Sequence, residues 1–508
     1  MSTPLASNPV LIGASQLSQR DVTLETAQSP LDMLTRIAQE AAEAAHAENP
    51  RKLLAEIDTV ALTSTAGWRA QNPARLIGEA LGAKTKTEWV SHVGGETALA
   101  LVNDVAERVV RGETALGYVG GCNNMKSLGL AQRAGHKLAW PEGGEGAPQI
   151  VGKEGWGHND FEAAHGLTMP ISIYPLFENA LRASRDQSLE EHASAMGQLM
   201  HPFTKTAAAN PHAWFPTEHS PEALVTTSPV NRMIFFPYPK YLNAVMATEQ
   251  AAGVLVASEA MADRMGVPED RRVHWRGGAF EVEAPWFISE RPSFAEAPAI
   301  RTCHTTALAN AGLALEDIEL IDFYSCFPVA VAMANEMLAL DPADPRGFSI
   351  TGGLPYAGGP GSSYSFHSLA TAVARLQAGE SQTALITGNG WYLTKHSATV
   401  LARAAAPDGA KPSAAPNAAL RGTWSAPPVS LNAKPEGAAT VETYTVGYDR
   451  MGTPDQGIIV GRLDATGERF LANTEPDPDL LATLARRESI GSRGQVRTID
   501  DRGRFTLA

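Results

Sequence analysis

The stretch LIDFYSCFPVAVAMANEML, Leu320 to Leu338, sets a tyrosine, a serine and a cysteine between an apolar strand pattern and a helix with an apolar face. Parallel α/β folds place chemistry at such junctions, beyond the carboxyl ends of their strands. Cys326 is one of three cysteines, the others being Cys122 and Cys303. As a thiolate it is a nucleophile or a proton shuttle, and its competing role is that of a buried structural thiol. Tyr324 transfers a proton only if a charge or hydrogen bond shifts its pKa from near 10, and is otherwise a core tyrosine. His367, and His396 in TKHS, carry imidazoles suited to acid–base work at neutral pH, against the alternative of hydrogen-bonded structural histidines. The runs GGCNN, GGLPYAGGPG and GNG allow close backbone approach and can turn N–H groups toward a developing oxyanion.

These residues must be held by a chain of 508 residues, a length that suggests about three domains. With 44% apolar and 19% charged residues the composition is globular. No apolar run approaches the roughly 20 residues that span a bilayer. The start, MSTPLASNPVLIGASQ, lacks a basic region followed by an apolar one, so no secretory leader is expected. Three dispersed cysteines make neither a disulfide framework nor a CxxC metal site. The expectation is a soluble cytoplasmic protein with no membrane partner. A net charge of −14 argues against nucleic acid, which needs a basic face, but leaves room for an anionic small ligand in a local basic pocket. GxxxxGK[ST], a strand-following GxGxxG and HExxH are all missing, which lowers nucleotide hydrolysis, dinucleotide binding and zincin chemistry.

The chain resembles itself. LAEIDTVALTS (Leu54 to Ser64) followed by VAERVVRGETALGYVGG (Val105 to Gly121) is matched by LEDIELIDFYS (Leu315 to Ser325) followed by VARLQAGESQTALITGNG (Val373 to Gly390). Each pair gives an apolar strand, a gap, an amphipathic helix ending at glycine, and a second apolar strand. Gly112 and Gly379 suit the left-handed position after a helix. TALGYV and TALITG are continuously apolar, as strands buried on both faces are. Two α/β halves are therefore expected. Between them, residues 122 to 240 are rich in aromatics and histidine and read as an inserted loop region, a cap or binding element. There Arg232, Lys240 and Lys153 could face an anionic ligand, or be ordinary solvated charges. Residues 404–426 are an Ala/Pro-rich linker. Beyond them, short alternating segments with one helical piece, PDLLATLARR, suggest a small β-barrel.

The halves, the insertion and their motifs resemble the thiolase superfamily, over roughly residues 8 to 403. PVLIGASQLSQR is similar to its opening strand and turn, and KYLNAVMATEQAAGVLVASEAMADRMG to its middle strand and helix. IDFYSCFP stands where the family has Asn-Glu-Ala-Phe, or His-Asp-Cys-Phe in the sterol-carrier-protein type. GGLPYAGGPGSSYSFHSLATAVARL stands at its Gly-His-Pro motif and ALITGNGWYLTKHS at Cys-x-Gly-Gly-Gly. The tail resembles the oligonucleotide-binding-type (OB) domain of thiolase-like proteins called acetyl-CoA acetyltransferases. The resemblance implies a duplicated five-layered αβαβα fold. Its N-terminal half would be 1–121 and 241–275, with 122–240 inserted, the C-terminal half 276–403, and the OB-like barrel 427–508.

It also implies that three standard groups are missing. The nucleophilic cysteine at a helix start falls close to Gly95, the histidine of Gly-His-Pro at Gly359, and the second cysteine near Ile386. What stays is Cys326 at the cysteine of His-Asp-Cys-Phe and Tyr324 at its histidine, with His367 and His396 from neighbouring segments. The implied ligand is a coenzyme A thioester, bound as substrate and not as a tightly held cofactor, and approached by Gly95, Gly358, Gly359, Asn389, Arg232 and Lys240. The readings are acetyl-CoA acetyltransferase-like acyl transfer, retro-aldol cleavage of a β-hydroxyacyl-CoA by tyrosines (Tyr324, Tyr356, Tyr364), or acyl-CoA binding without turnover. Both a homodimer and a monomer stay open.

Overall fold

A computed structural model describes residues 8–407 and 409–508. Residues 1–7, where the segment read for a leader begins, and Asp408 in the linker lie outside the described residues.

The first half supplies strands β1 (Pro9–Ser18), β2 (Thr59–Leu62), β3 (Thr87–Ser91), β4 (Leu116–Asn123) and β5 (Gln149–Val151). Two short strands, β6 (Met233–Phe235) and β7 (Tyr238–Pro239), precede β8 (Gln250–Ser258) and β9 (Val273–Val282). The second half adds β10 (Leu320–Asp322), β11 (Thr383–Gly390) and β12 (Lys395–Ala402). All of these but β6 and β7 form one ten-stranded sheet in the order β10-β11-β12-β9-β1-β8-β4-β2-β3-β5. The duplication is visible on either side of the β9–β1 junction. On one side β1–β8 and β8–β4 pair antiparallel and β4–β2 parallel; on the other β9–β12 and β12–β11 pair antiparallel and β11–β10 parallel. The halves meet through a short register, Val10 opposite His274 and Leu11 opposite Val273.

Strand alternation sorts side chains into layers. In β2, Val60 and Leu62 join an outer core with the helix Pro30–Ala44, while Ala61 faces a central core. In β11, Ala384 and Ile386 face the central core and Leu385 the opposite outer one. The central core holds the helices Thr97–Val110 and Tyr364–Gln377, sandwiched between the two half-sheets. This is the five-layered order of helices, strands, helices, strands and helices. Gly112 and Gly379, at φ +71° and +73°, end the helical segments preceding β4 and β11 in the left-handed conformation.

The segment between the halves is not mainly loop. β4 runs to Asn123, and the helices Pro170–Ser184 and Leu189–Ala209 carry much of the chain between β5 and β6. The prolines inside both helices, Pro175 and Pro202, obscure their period in the sequence. This segment also contributes β5, which pairs parallel with β3 and forms that edge of the sheet.

The C-terminal strands β13 (Gly437–Tyr448), β14 (Pro454–Leu463), β15 (Arg469–Asn473), β16 (Arg493–Ile499) and β17 (Arg502–Leu507) close a five-stranded barrel. Its order is β13-β14-β15-β17-β16 and back to β13, with β15 and β17 parallel and the helix Pro478–Arg486 between β15 and β16. The barrel is bonded to the body. Thr443 donates to the Leu176 carbonyl at 2.7 Å and Asn179 to that of Tyr444 at 2.9 Å. Buried Arg469 pairs with Glu442 and reaches the carbonyls of Ser289, Arg291 and Pro292. Among the described residues no helix is long and apolar enough to cross a membrane.

Candidate functional site

A cavity of about 320 Å³ opens where the two halves meet. Its wall gathers Gly95 before the helix Thr97–Val110, Tyr324 and Cys326 after β10, Gly359 from the glycine loop, and Asn389 at the end of β11. The helix Pro170–Ser184 adds Tyr174 from its first turns, and the barrel is anchored on that helix. Most of the wall is apolar, including Ile171, Phe327, Leu354 and Trp391. Val93, Met169 and Met246 combine cavity contact with substantial solvent exposure, 57%, 48% and 49%, and so mark its mouth.

Cys326 precedes Phe327, the N-cap of the helix Pro328–Leu338. A helix N-terminus favours thiolate, yet burial pushes the Cys326 thiol up to about 12, outweighing the opposing hydrogen bonds from Tyr174, the local backbone and Asn389. Cys122, at the end of β4, lines the same cavity and is pushed to about 12 by its burial. Asn389 organises this wall: its Nδ2 donates to Tyr174 Oη at 2.8 Å and lies 3.8 Å from Cys326 Sγ. Tyr174 in turn donates to the Trp391 carbonyl at 2.9 Å, and its ring stacks on Phe327 with centroids 4.4 Å apart. Burial holds the hydroxyls of Tyr174 and Tyr324 well above the ordinary tyrosine range.

Gly95 explains what fills the place of a helix-start nucleophile. A Cβ at residue 95 would lie 2.2 Å from Tyr324 Oη and 2.4 Å from the Asn389 carbonyl oxygen. The Tyr324 hydroxyl thus stands where a side chain from position 95 would project. Behind it, Glu96 and Lys395 form a buried ion pair at 2.6 Å. Burial raises the Glu96 carboxyl and Lys395 opposes that rise. Lys395 also donates to the Val93 carbonyl at 3.0 Å, tying the glycine loop to β12.

The other expected residues lie elsewhere. His367 points from its helix to β1, with Nδ1 3.0 Å from Gln16 Oε1, and burial lowers it to about 3. His396 is likewise lowered to about 3 by burial; it borders a separate void of about 10 Å³ with His304. Gly358 abuts Gln250 beside the wall, and Ile386 belongs to the central core. Arg232 donates to the carbonyls of Met233 and Asp449 near the barrel, and Lys240 lies exposed at the 3-10 turn Lys240–Leu242. Tyr364 is bonded to Thr351 at 2.7 Å, and Tyr356 is buried away from the wall. Among the described residues, the cavity is lined by no histidine, arginine, lysine or carboxylate. Tyr174, Ser362 and Trp391 were not found by sequence reasoning. Ser362 accepts from the Gly94 N–H at 3.1 Å and directly follows the glycine run GGLPYAGGPG, the one signal that could have marked it.

Comparison with known proteins places these features. Residues 424–501 match the model of the thiolase-like protein type 1 additional C-terminal domain. No curated protein matches the sequence. Among solved structures, a monomeric SCP2-thiolase-like protein type 1 from Mycobacterium smegmatis is 31% identical with a TM-score of 0.83, over 99% of this chain and 100% of that one. Acetyl-CoA acetyltransferase from Syntrophomonas wolfei is 13% identical, TM-score 0.56, over 78% of this chain and 100% of that one. The Ltp2–ChsH2(DUF35) aldolase is 17% identical, TM-score 0.58, over 78% and 98%. The last two share the fold.

Proposed function

Because this chain belongs to the SCP2-thiolase-like type 1 proteins, we propose that its cavity takes the acyl end of a coenzyme A thioester and holds it by hydrogen bonds, without forming an acyl-enzyme. One observation carries this reading: the Tyr324 hydroxyl fills the space a helix-start nucleophile would use, 2.2 Å from a Cβ built on Gly95. The remaining heteroatoms act as neutral donors. With the Cys326 thiol at about 12, its thiolate fraction at pH 7 is on the order of 10⁻⁵, too small for a surrogate nucleophile. Cys326, Tyr324 and Gly95 line the place for a thioester carbonyl, while the apolar wall accepts the acyl chain.

Among the described residues the cavity lining holds no cation for the phosphates of coenzyme A, so affinity should come from the acyl and pantetheine parts and grow with chain length. Calorimetric titration with acetyl-, octanoyl- and decanoyl-CoA tests this. Tighter binding of the longer thioesters, weakened by Tyr174→Ala, supports the reading. Equal affinity for free coenzyme A and all three thioesters contradicts it.

A second reading is favoured by the position of Tyr324 beside Cys326, and the aldolase among proteins of this fold makes it concrete. Retro-aldol cleavage of a β-hydroxyacyl thioester breaks the Cα–Cβ bond. The hydroxyl proton is lost to a base, and the enolate takes a proton at carbon to give a carbonyl compound and a shorter thioester. Tyr324 suits donation to the enolate oxygen, but among the described residues the wall holds no carboxylate or histidine to serve as base. Binding therefore remains the primary reading. Release of an aldehyde or ketone from a β-hydroxyacyl-CoA would reverse the order. The monomeric relative supports a monomer.

A further inference from the structure

We propose that Phe327 closes the deep end of the cavity between the halves and sets the longest acyl chain it takes, so that its ligands are medium-chain thioesters of about eight to ten carbons. This rests on reading that cavity as the site of the acyl end. Its wall is divided. Ser64, Cys122, Asn123 and Ser362 lie on one part, and Met169, Ile171, Tyr174, Phe327 and Leu354 on another. An acyl chain follows the second part, where its methylenes leave water without covering polar groups.

That apolar lane has a direction. Met169, the N-cap of the helix Pro170–Ser184, is 48% exposed at the mouth, Ile171 is half-buried, and Tyr174 is 1% exposed. Ile171 and Tyr174, at i and i+3, share one face of the helix, whose rise of about 1.5 Å per residue carries the lane inward. At the inner end the Tyr174 ring stacks on Phe327, itself 2% exposed. Behind Phe327 stands the wholly buried ring of Tyr238, its centroid 5.4 Å away. Both tyrosines are tethered by their hydroxyls: Tyr174 donates to the Trp391 carbonyl and accepts from Asn389, and Tyr238 donates to Glu178. Phe327 is therefore packed between two fixed rings, and close-packed interiors yield little to a chain that presses on them. The volume gives the length. A methylene takes roughly the 30 Å³ share of a liquid water molecule, so 320 Å³ holds about ten such groups, the thioester carbonyl included. Carbons beyond that number stay at the mouth and gain no further burial.

The test is calorimetric titration of the full chain with hexanoyl-, octanoyl-, decanoyl-, dodecanoyl- and tetradecanoyl-CoA. Phe327→Ala removes the end wall, and Ala244→Leu, at a half-buried position on the same cavity, fills part of the lumen. In the wild type, affinity is expected to rise about fivefold or more with each added pair of methylenes up to decanoyl, and less than about twofold beyond it. Phe327→Ala should carry the rise on to dodecanoyl or further, and Ala244→Leu should end it by octanoyl. Should Phe327→Ala fail to fold, Ala244→Leu carries the comparison. Affinity that does not rise from hexanoyl to decanoyl refutes the acyl-binding reading on which the limit rests. A rise that continues through tetradecanoyl in the wild type, or a limit at the same length in the folded variants, overturns the role of Phe327 and leaves that reading intact.

Discussion

Replacing Gly95 by alanine is the sharpest test of how the site is built. The added Cβ meets Tyr324 Oη at 2.2 Å, Tyr324 Cζ at 2.4 Å and the Asn389 carbonyl oxygen at 2.4 Å. Neither neighbour is the free end of a flexible chain. The ring of Tyr324 packs edge-on against Tyr364, with centroids 5.5 Å apart, and the Asn389 carbonyl belongs to β11. Overpacking of this kind costs ~1–3 kcal/mol, and the backbone contact points to the upper part of that range. Urea denaturation should show the loss. The double variant Gly95→Ala/Tyr324→Ala supplies the second readout. Tyr324→Ala alone empties a part-buried site, but in its presence the Cβ at 95 regains room, so the pair should be less destabilised than the sum by about 1 kcal/mol or more. Gly95→Cys should suffer the same clash and give no acyl-enzyme. The reasoning is refuted if Gly95→Ala is neutral within ~0.5 kcal/mol or if the two substitutions simply add.

Three further outcomes rest on the charges and thiols. Alkylation of Cys326 by iodoacetamide should be slow at pH 7 and still accelerate above pH 10, since its thiol sits at about 12; a plateau near pH 8 would contradict the burial argument. Burial lowers His367 and His396 to about 3, so below the unfolded histidine pKa near 6.5 the unfolded chain binds more protons than the native one. Stability should therefore be full above about pH 6.5 and fall on acidification toward pH 3, and His367→Asn should flatten that fall in pH-dependent melting. Arg469→Met leaves Glu442 with Arg462, its part-exposed partner, and removes bonds to three body carbonyls. It should cost ~1–3 kcal/mol and open the 404–426 linker to limited proteolysis, while an unchanged cleavage pattern would mean that other contacts hold the barrel.

The duplication was legible because its cues are local. An apolar strand, an amphipathic helix and a left-handed glycine recur in both halves, and Gly112 and Gly379 adopt the predicted conformation. Cys326, Tyr324, Gly95, Gly359 and Asn389 line one cavity, and they were legible as neighbours through the resemblance to the thiolase superfamily, whose motifs they match in position. Side-chain direction was not. In β11 the even position Ile386 faces the central core, whereas Leu385 faces the opposite layer and Asn389, an even number of residues further on, reaches the cavity. A one-residue offset on a strand changes which face a side chain serves. His367 shows the same limit on a helix, whose phase turns it toward Gln16. Tyr174 carried no motif: it lies beside Pro175 in a helix of the insertion, where only the three-dimensional approach to Asn389 reveals it. Arg232 and Lys240 stand out in the sequence by charge, and charge alone carries no location.

The most direct test of the central claim is the intact mass of the protein after incubation with decanoyl-CoA at a concentration where calorimetry shows the site filled. Saturable binding with an unchanged mass, in wild type and Cys326→Ala alike, is the predicted result. A decanoyl increment on wild type that disappears in Cys326→Ala would establish covalent acyl transfer and contradict the account.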